Sequence, residues 1–203
     1  MGVLTSVFPF VKLMDLANSL TSINIAISFI AIYFAWTDHI YFSAISICAA
    51  AVLDFLDGYI ARTWLYNRKD NRSFGKQLDS LADLLNFSVA PAMIIFHLNN
   101  DGAAFFSGLL LLLSGCLRLS LFSVISGSHP GSYSGLPTTY AGVIYALFLQ
   151  CVAYDNISAS TLIYLNLCIA VVQVINIKIP KYSAIPTVVV FIALFLSVRF
   201  FIH

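Results

Sequence analysis

Four aspartates lie close together in one short part of the sequence, between residues 54 and 83. They are Asp54, Asp57, Asp79 and Asp83, and they stand next to strongly apolar segments. All nine acidic residues of the chain are Asp, and none is Glu. Charged groups close to hydrocarbon are costly to hold there and usually mark a functional site. These four carboxylates are therefore the first candidates for chemistry.

The spacing of the aspartates predicts that they converge. Residues three and four positions apart share one face of a helix, so Asp54 pairs with Asp57 and Asp79 with Asp83. Four converging carboxylates need a compensating cation. With no His or Cys between them, oxygen ligands favour hard ions: Mg²⁺ or Mn²⁺, with Ca²⁺ as an alternative occupant. This many ligands can hold two ions, and such pairs typically clamp a phosphoryl group during its transfer.

The composition identifies the surroundings of this site as a membrane. Of the 203 residues, 60% are hydrophobic and only 9% are charged, whereas soluble domains have about 25% charged residues. Helices and closed β-barrels both satisfy the backbone hydrogen bonds in lipid. Barrel strands alternate apolar and polar residues, so the long unbroken apolar runs of this chain favour helices. We therefore predict one all-α polytopic membrane domain covering residues 1–203, with no nucleic-acid partner.

Seven apolar segments are near the length needed to cross a bilayer, about 20 residues. A short apolar stretch before them, residues 1–15, is expected to be an interfacial helix. Pro91 falls inside the third segment and is expected to kink it. The predicted segments are 16–36, 40–65, 74–98, 104–126, 138–154, 158–177 and 184–202.

The basic residues predict the orientation of these segments. In a seven-span arrangement, the breaks on one side contain Asp38, Asp101 and Asp155 but no Lys or Arg. Lys and Arg accumulate on cytoplasmic loops, so the aspartate cluster is expected to face the cytosol. The basic residues of the cytosolic side are Lys12, Arg62, Arg68, Lys69, Arg72, Lys76, Lys178 and Lys181.

Two other interpretations of the aspartates stay open. The acidic residues and Arg62 or Arg118 could form a structural salt-bridge cluster, or the acidic residues could line the ion path of a cation transporter. A path would distribute carboxylates across the membrane, whereas these lie at one depth. Small neighbours (Gly58, Ala61 and Gly75) leave room for a bulky ligand, and the arginines suit phosphate. Metal-dependent phosphoryl chemistry is therefore favoured.

The pattern of these residues resembles the signature of the CDP-alcohol phosphotransferases. Further stretches resemble the branch that transfers a phosphatidyl group from CDP-diacylglycerol to serine. The signature here reads Asp54-x-x-Asp57-Gly58-x-x-Ala61-Arg62 and Gly75-x-x-x-Asp79-x-x-x-Asp83. The further stretches are Phe74 to Leu84, Val89-Ala-Pro-Ala92, Leu117-Arg-Leu119, Gly135-Leu-Pro137 and Ile177-Lys-Ile-Pro-Lys181.

The resemblance implies a reaction and assigns roles. An alcohol, with serine favoured, attacks the phosphorus of CDP-diacylglycerol and CMP leaves. Asp54, Asp57 and Asp79 would bind two divalent cations, and Asp83 would be the general base and an additional metal contact. The CDP-lipid pocket would be lined by Gly58, Ala61, Arg62 and Gly75. The resemblance further implies a homodimer with a six-span core, so the seventh segment would be an addition, in a prokaryotic cytoplasmic membrane.

The chain departs from the serine branch where an acceptor pocket is expected. Asn86 and Ser88 stand where members of the serine branch usually have Ser and Gly. Members of that branch often have the motif R-L-A-R-F-N, which begins here at Arg118, and Leu121 replaces its second Arg. We predict that Asn86, Ser88 and Arg118 contact the acceptor or a phosphate. Glycerol phosphate, inositol phosphate or another small polar alcohol therefore stay open as alternative acceptors.

Overall fold

The computed structural model describes residues 8–63, 69–125, 132–180 and 184–202. Arg68 and Lys181, two of the basic residues that predict the orientation, lie outside this part of the chain. The helices are α1 (Leu16–Trp36), α2 (Ile40–Thr63), α3 (Lys69–Leu84), α4 (Ala90–Asn99), α5 (Gly102–Ile125), α6 (Thr138–Ala153), α7 (Thr161–Val174) and α8 (Ala184–Ile202).

Each of the seven predicted segments contains an apolar helix, which confirms the all-α polytopic architecture. Four helical stretches are long and apolar enough to cross a membrane: Leu16–Trp36, Ile40–Thr63, Ser73–Asn99 and Gly102–Val124. Three more apolar helices, in the last third of the chain, are shorter. Of the expected interfacial helix at residues 1–15, residues 1–7 lie outside the described part, and Pro9–Lys12 forms one 3₁₀ turn.

Small residues bring α1 and α2 into close contact. Ala31, Ala35 and Ala44 are fully buried, and the hydroxyl of Ser43 on α2 donates to the backbone carbonyl of Ala31 on α1 at 2.8 Å. Helices in lipid associate through such close backbone packing and interhelical hydrogen bonds, because lipid gives no hydrophobic drive between them. Further pairs, α5 with α7 and α2 with α6, complete the bundle.

Four aspartates outside the cluster lie at helix ends or in the turns that follow them. The side chain of Asp15 accepts from the backbone N–H of Asn18 at 2.9 Å and caps α1. Asp101 caps α5 in the same way, by accepting from the N–H of Ala104. Asp38 and Asp155 have positive φ angles of 60° and 57°, a conformation that short polar residues tolerate better than most. Local backbone structure therefore accounts for these four aspartates.

A π-helical turn, Leu85–Val89, joins α3 to α4 within one continuous helix. The backbone N–H of Ala90 donates to the carbonyl of Leu85, five residues earlier. Pro91 follows directly and has no N–H to donate back along the helix, so the wider turn accommodates it. The irregularity predicted at Pro91 is therefore this turn, which contains the buried residues Asn86 and Ser88.

Two short antiparallel strands lie beside the start of α6. Strand β1 (Ser132–Ser134) pairs with β2 (Lys178–Pro180), with Tyr133 opposite Ile179. The backbone N–H of Gly135 donates to the carbonyl of Ile177, and that of Leu136 to Val172. This ribbon attaches the start of α6 to the end of α7. It fixes the two residues that begin α6, Thr138 and Thr139, relative to the bundle.

Candidate active site

The four predicted aspartates converge between α2 and α3. One carboxylate oxygen from each of Asp54, Asp57 and Asp79 lies within 4.8 Å of the others. Asp83 is one turn further along α3, and its side chain lies next to that of Asp54. Asp57 is only 3% exposed. The helical spacing thus produces the geometry that it predicts, with three oxygen donors grouped and a fourth carboxylate adjoining them.

Three threonine hydroxyls from two further helices hold these carboxylates. Thr21 on α1 donates to Oδ2 of Asp57 at 2.6 Å. Thr138 and Thr139 on α6 donate to Oδ2 of Asp83 and Oδ2 of Asp54, each at 2.8 Å. Sequence reasoning missed all three residues. The one available signal is the pair of threonines directly after Gly135-Leu-Pro137, at the start of a predicted helix.

Two carboxylate oxygens of the cluster are buried without a hydrogen-bond partner among the described residues. They are Oδ1 of Asp57 and Oδ1 of Asp83. Leaving a buried carboxylate oxygen unsatisfied is costly, and a bound cation removes that cost. The donors are all oxygen atoms, which suits Mg²⁺ or Mn²⁺. The residues present therefore fit a divalent-cation site formed by Asp54, Asp57 and Asp79 with Asp83 beside it.

The residues predicted to bind the CDP-lipid lie toward the end of α2 and in the first half of α3, beside this cluster. A Cβ added to Gly58 would lie 3.4 Å from Nη1 of Arg62, so the guanidinium folds back along α2 over the glycine. Arg62 and Ala61 are both exposed, and Arg62 contributes positive charge near the aspartates. Gly75 faces the Asn18 side chain, which is anchored by a 2.7 Å hydrogen bond to the carbonyl of Leu13.

The residues predicted to contact the acceptor are all buried. Asn86 and Ser88 are 1% and 0% exposed, and the structure gives their side-chain polar atoms no hydrogen-bond partner among the described residues. Ser88 packs directly against Gly115 of α5. Arg118, 6% exposed, donates from Nε to the carbonyl of Leu136, so it supports the turn before Thr138.

The bundle and the cluster define a polytopic membrane protein with a partly buried group of carboxylates whose oxygen donors fit divalent cations. The sequence profile of the CDP-alcohol phosphatidyltransferases matches residues 14–201. The chain therefore belongs to the CDP-alcohol phosphatidyltransferase family and is an enzyme of that family. This confirms the family expected from the signature.

The curated relatives agree with the resemblance to the serine branch. The archaetidylserine synthase of Methanothermobacter thermautotrophicus is 31% identical over 174 residues, which cover 85% of this chain and 71% of that protein. The CDP-diacylglycerol–serine O-phosphatidyltransferase of Methanocaldococcus jannaschii is 29% identical over 86% of this chain and 78% of its own length. The enzyme of that name from Helicobacter pylori is 28% identical, over 90% and 80% respectively.

Proposed function

We propose that this protein transfers a phosphatidyl group from CDP-diacylglycerol to the hydroxyl of serine, releases CMP and requires a divalent cation. The observation that carries the proposal is the group of three carboxylates within 4.8 Å with Asp83 beside it. Serine is favoured as the acceptor because two of the relatives above are named CDP-diacylglycerol–serine O-phosphatidyltransferase and one is named archaetidylserine synthase. The proposed setting is a prokaryotic cytoplasmic membrane.

The chemistry follows from the roles of the four aspartates. The serine hydroxyl oxygen forms a bond to the phosphorus that carries diacylglycerol, and the bond from that phosphorus to the oxygen of CMP breaks. Asp83 accepts the hydroxyl proton, as a general base must. Divalent cations held by Asp54, Asp57 and Asp79 supply positive charge to the phosphoryl oxygens when bound. Arg62 adds charge for the diphosphate, and Gly58, Ala61 and Gly75 complete the CDP-lipid pocket.

The π-helical turn supplies the proposed acceptor pocket. Asn86 and Ser88 present unpartnered amide and hydroxyl groups in the interior, and they follow Asp83 by three and five positions. Serine has an ammonium and a carboxylate besides its hydroxyl, and such groups require hydrogen-bond partners where they are buried. We propose that Asn86 and Ser88 bind these groups, and that Arg118 supplies charge for the carboxylate from α5.

The orientation and assembly are further parts of the proposal. We place the site at the cytosolic side because Lys and Arg accumulate around it while the opposite breaks have Asp38, Asp101 and Asp155. Cytosolic exposure gives the water-soluble substrate and product, serine and CMP, direct access. CDP-diacylglycerol reaches the same site from the bilayer. A homodimer is proposed from the resemblance to the family.

A panel of acceptors tests the proposed reaction. Membranes or purified protein receive CDP-diacylglycerol with Mg²⁺ or Mn²⁺ and one acceptor at a time: serine, glycerol 3-phosphate, inositol phosphate, glycerol, choline or ethanolamine. A parallel series uses the ether-linked CDP-lipid. CMP release and the lipid product are both measured. We expect CMP release with serine, lost on chelation by EDTA. Release with another alcohol alone contradicts the serine assignment, and no release with any acceptor contradicts the reaction.

Gly115→Ala is expected to weaken serine binding selectively. The added methyl group would collide with the Ser88 hydroxyl and push it out of its position in the pocket. Losing one hydrogen bond costs about 1 kcal/mol, which corresponds to a rise in KM for serine of roughly fivefold. Steady-state kinetics with each substrate varied in turn measure the effect, and KM for CDP-diacylglycerol should stay unchanged.

Gly102→Ala is the matched control on the same helix, because a Cβ there meets nothing within 4 Å. It should behave as wild type. Equal rises in both KM values, or a KM for serine unaffected by Gly115→Ala, would place Ser88 outside the acceptor pocket.

A further inference from the structure

We propose that Thr138 and Thr139 are positioning residues with separate tasks: Thr138 orients the general base Asp83, and Thr139 orients the metal ligand Asp54. The inference rests on the proposed function and assigns two residues that the signature does not contain. Both donate to Oδ2 of their partner at 2.8 Å. The partners are 55 and 85 residues away in the sequence.

The two hydroxyls reach different carboxylates because they are neighbours on a helix. Successive residues of an α-helix point about 100° apart, so adjacent threonines at the start of α6 face α3 and α2 in turn. Both side chains are buried, with 1% and 7% exposure for Thr138 and Thr139. A threonine hydroxyl has one hydrogen to donate, and an ionised carboxylate only accepts. Each hydroxyl therefore fixes one oxygen of its partner.

The turn before α6 sets the position of both threonines. Gly135 has a φ of 74°, which is a left-handed conformation that glycine adopts without strain. The carbonyl of Leu136 accepts from the buried guanidinium of Arg118. The backbone N–H of Leu136 donates to the carbonyl of Val172. Pro137 follows and occupies the cap position of α6. The ribbon and Arg118 thus hold the start of the helix against the acidic cluster.

The consequence for Asp83 is a defined orientation. With Oδ2 held by Thr138, Oδ1 stays buried without a partner among the described residues and is the oxygen available to accept a proton. The consequence for Asp54 is different, because this carboxylate belongs to the group of three metal-ligand candidates. Outer hydrogen bonds that orient metal ligands typically change metal affinity or activity about 10–100-fold when removed.

Thr138→Val and Thr139→Val separate these tasks, because valine keeps the shape of threonine and removes the hydroxyl. The full-length protein is compared in detergent by two measurements. The first is the Mn²⁺ concentration that gives half-maximal thermal stabilisation, which needs no turnover. The second is kcat and KM for CDP-diacylglycerol with serine at saturating Mn²⁺. Thr37→Val is the control, since Thr37 donates to the Tyr33 carbonyl at an exposed helix end far from the cluster.

We expect opposite signatures from the two neighbours. Thr139→Val should raise the half-maximal Mn²⁺ concentration about 10–100-fold and recover most activity at saturating Mn²⁺. Thr138→Val should leave Mn²⁺ binding unchanged and lower kcat about 10–100-fold, with KM for CDP-diacylglycerol unchanged. Thr138→Ser and Thr139→Ser retain the hydroxyl and should restore each value, which separates positioning from a general loss of folding.

Three results would overturn the inference. Both valine variants could match Thr37→Val in Mn²⁺ binding and in kcat. Both could lose kcat equally without a change in Mn²⁺ binding. The serine variants could be as impaired in these values as the valine variants. A wild-type protein that releases no CMP with any acceptor contradicts the proposed function and, with it, the task of Thr138. The Mn²⁺ measurement still decides the task of Thr139 in that case.

Discussion

Asp83→Asn is expected to lower kcat about 10²–10⁴-fold, the usual contribution of a general base, while the protein still binds CDP-diacylglycerol and Mn²⁺. Asparagine has the shape of aspartate, and its carbonyl oxygen still accepts from the Thr138 hydroxyl. It accepts no proton at neutral pH. The three grouped carboxylates, Asp54, Asp57 and Asp79, are unchanged by this substitution, so cation binding should persist.

The measurement combines turnover with binding. CMP release gives kcat. Mn²⁺-dependent thermal stabilisation reports cation binding, and binding of labelled CDP-diacylglycerol reports the affinity for the lipid substrate. Asp155→Asn is the matched control, since Asp155 is an exposed turn residue with a φ of 57°, which asparagine also adopts readily. Activity close to wild type in Asp83→Asn would remove Asp83 as the base. Loss of Mn²⁺ binding together with turnover would make Asp83 chiefly a metal ligand.

Local sequence patterns were sufficient to predict the helices and the acidic cluster. The seven apolar segments are long runs bounded by polar breaks, and this pattern depends on neighbours in the sequence alone. Asp54 with Asp57 and Asp79 with Asp83 are similarly local, because a helix puts residues three and four apart on one face. The connecting stretch is short, so the two faces could be expected to meet.

The hydroxyl partners could not be predicted in this way. Thr21 and Asp57 are 36 residues apart, and their contact depends on how α1 crosses α2, which small residues at the crossing decide. Thr139 reaches Asp54 across 85 residues through a turn held by Arg118. Nothing in the local pattern around either threonine encodes the partner. Arg118 was predicted near the acceptor from its charge within an apolar segment and from the resemblance, whereas its guanidinium also supports a backbone carbonyl.

The π-helical turn illustrates the same limit within a single helix. Pro91 made an irregularity predictable, but proline allows either a kink or a wider turn. The wider turn inserts a residue and changes which side chains face inward after it. The burial of Asn86 and Ser88 therefore depends on a backbone choice that periodicity does not decide. This is also the region where the chain departs from the serine branch and where we propose that the acceptor binds.

Asp57→Asn is expected to abolish cation-dependent stabilisation and to lower activity by a large factor. Metal ions contribute several kcal/mol to phosphoryl transfer, which corresponds to roughly 10²–10⁴-fold in rate. Asp57 is the most buried of the four carboxylates, and its Oδ1 lacks a partner among the described residues. Without a cation, this buried charge opposes folding, because it lies among like charges. The neutral amide should therefore stabilise the cation-free protein.

Asp57→Asn should thus stabilise the protein without cations but remove the stabilisation that cations give. Together these two effects on stability distinguish a metal site from a structural cluster. In EDTA, Asp57→Asn should melt at a higher temperature than wild type, and Mn²⁺ should then raise the melting temperature of wild type alone. Asp101→Asn is the control, because Asp101 caps α5 and asparagine caps equally well. A variant that melts below wild type in EDTA would show that Asp57 stabilises the bundle through fixed contacts. The cluster would then hold its charges for structure, and the metal-dependent mechanism would lose its basis.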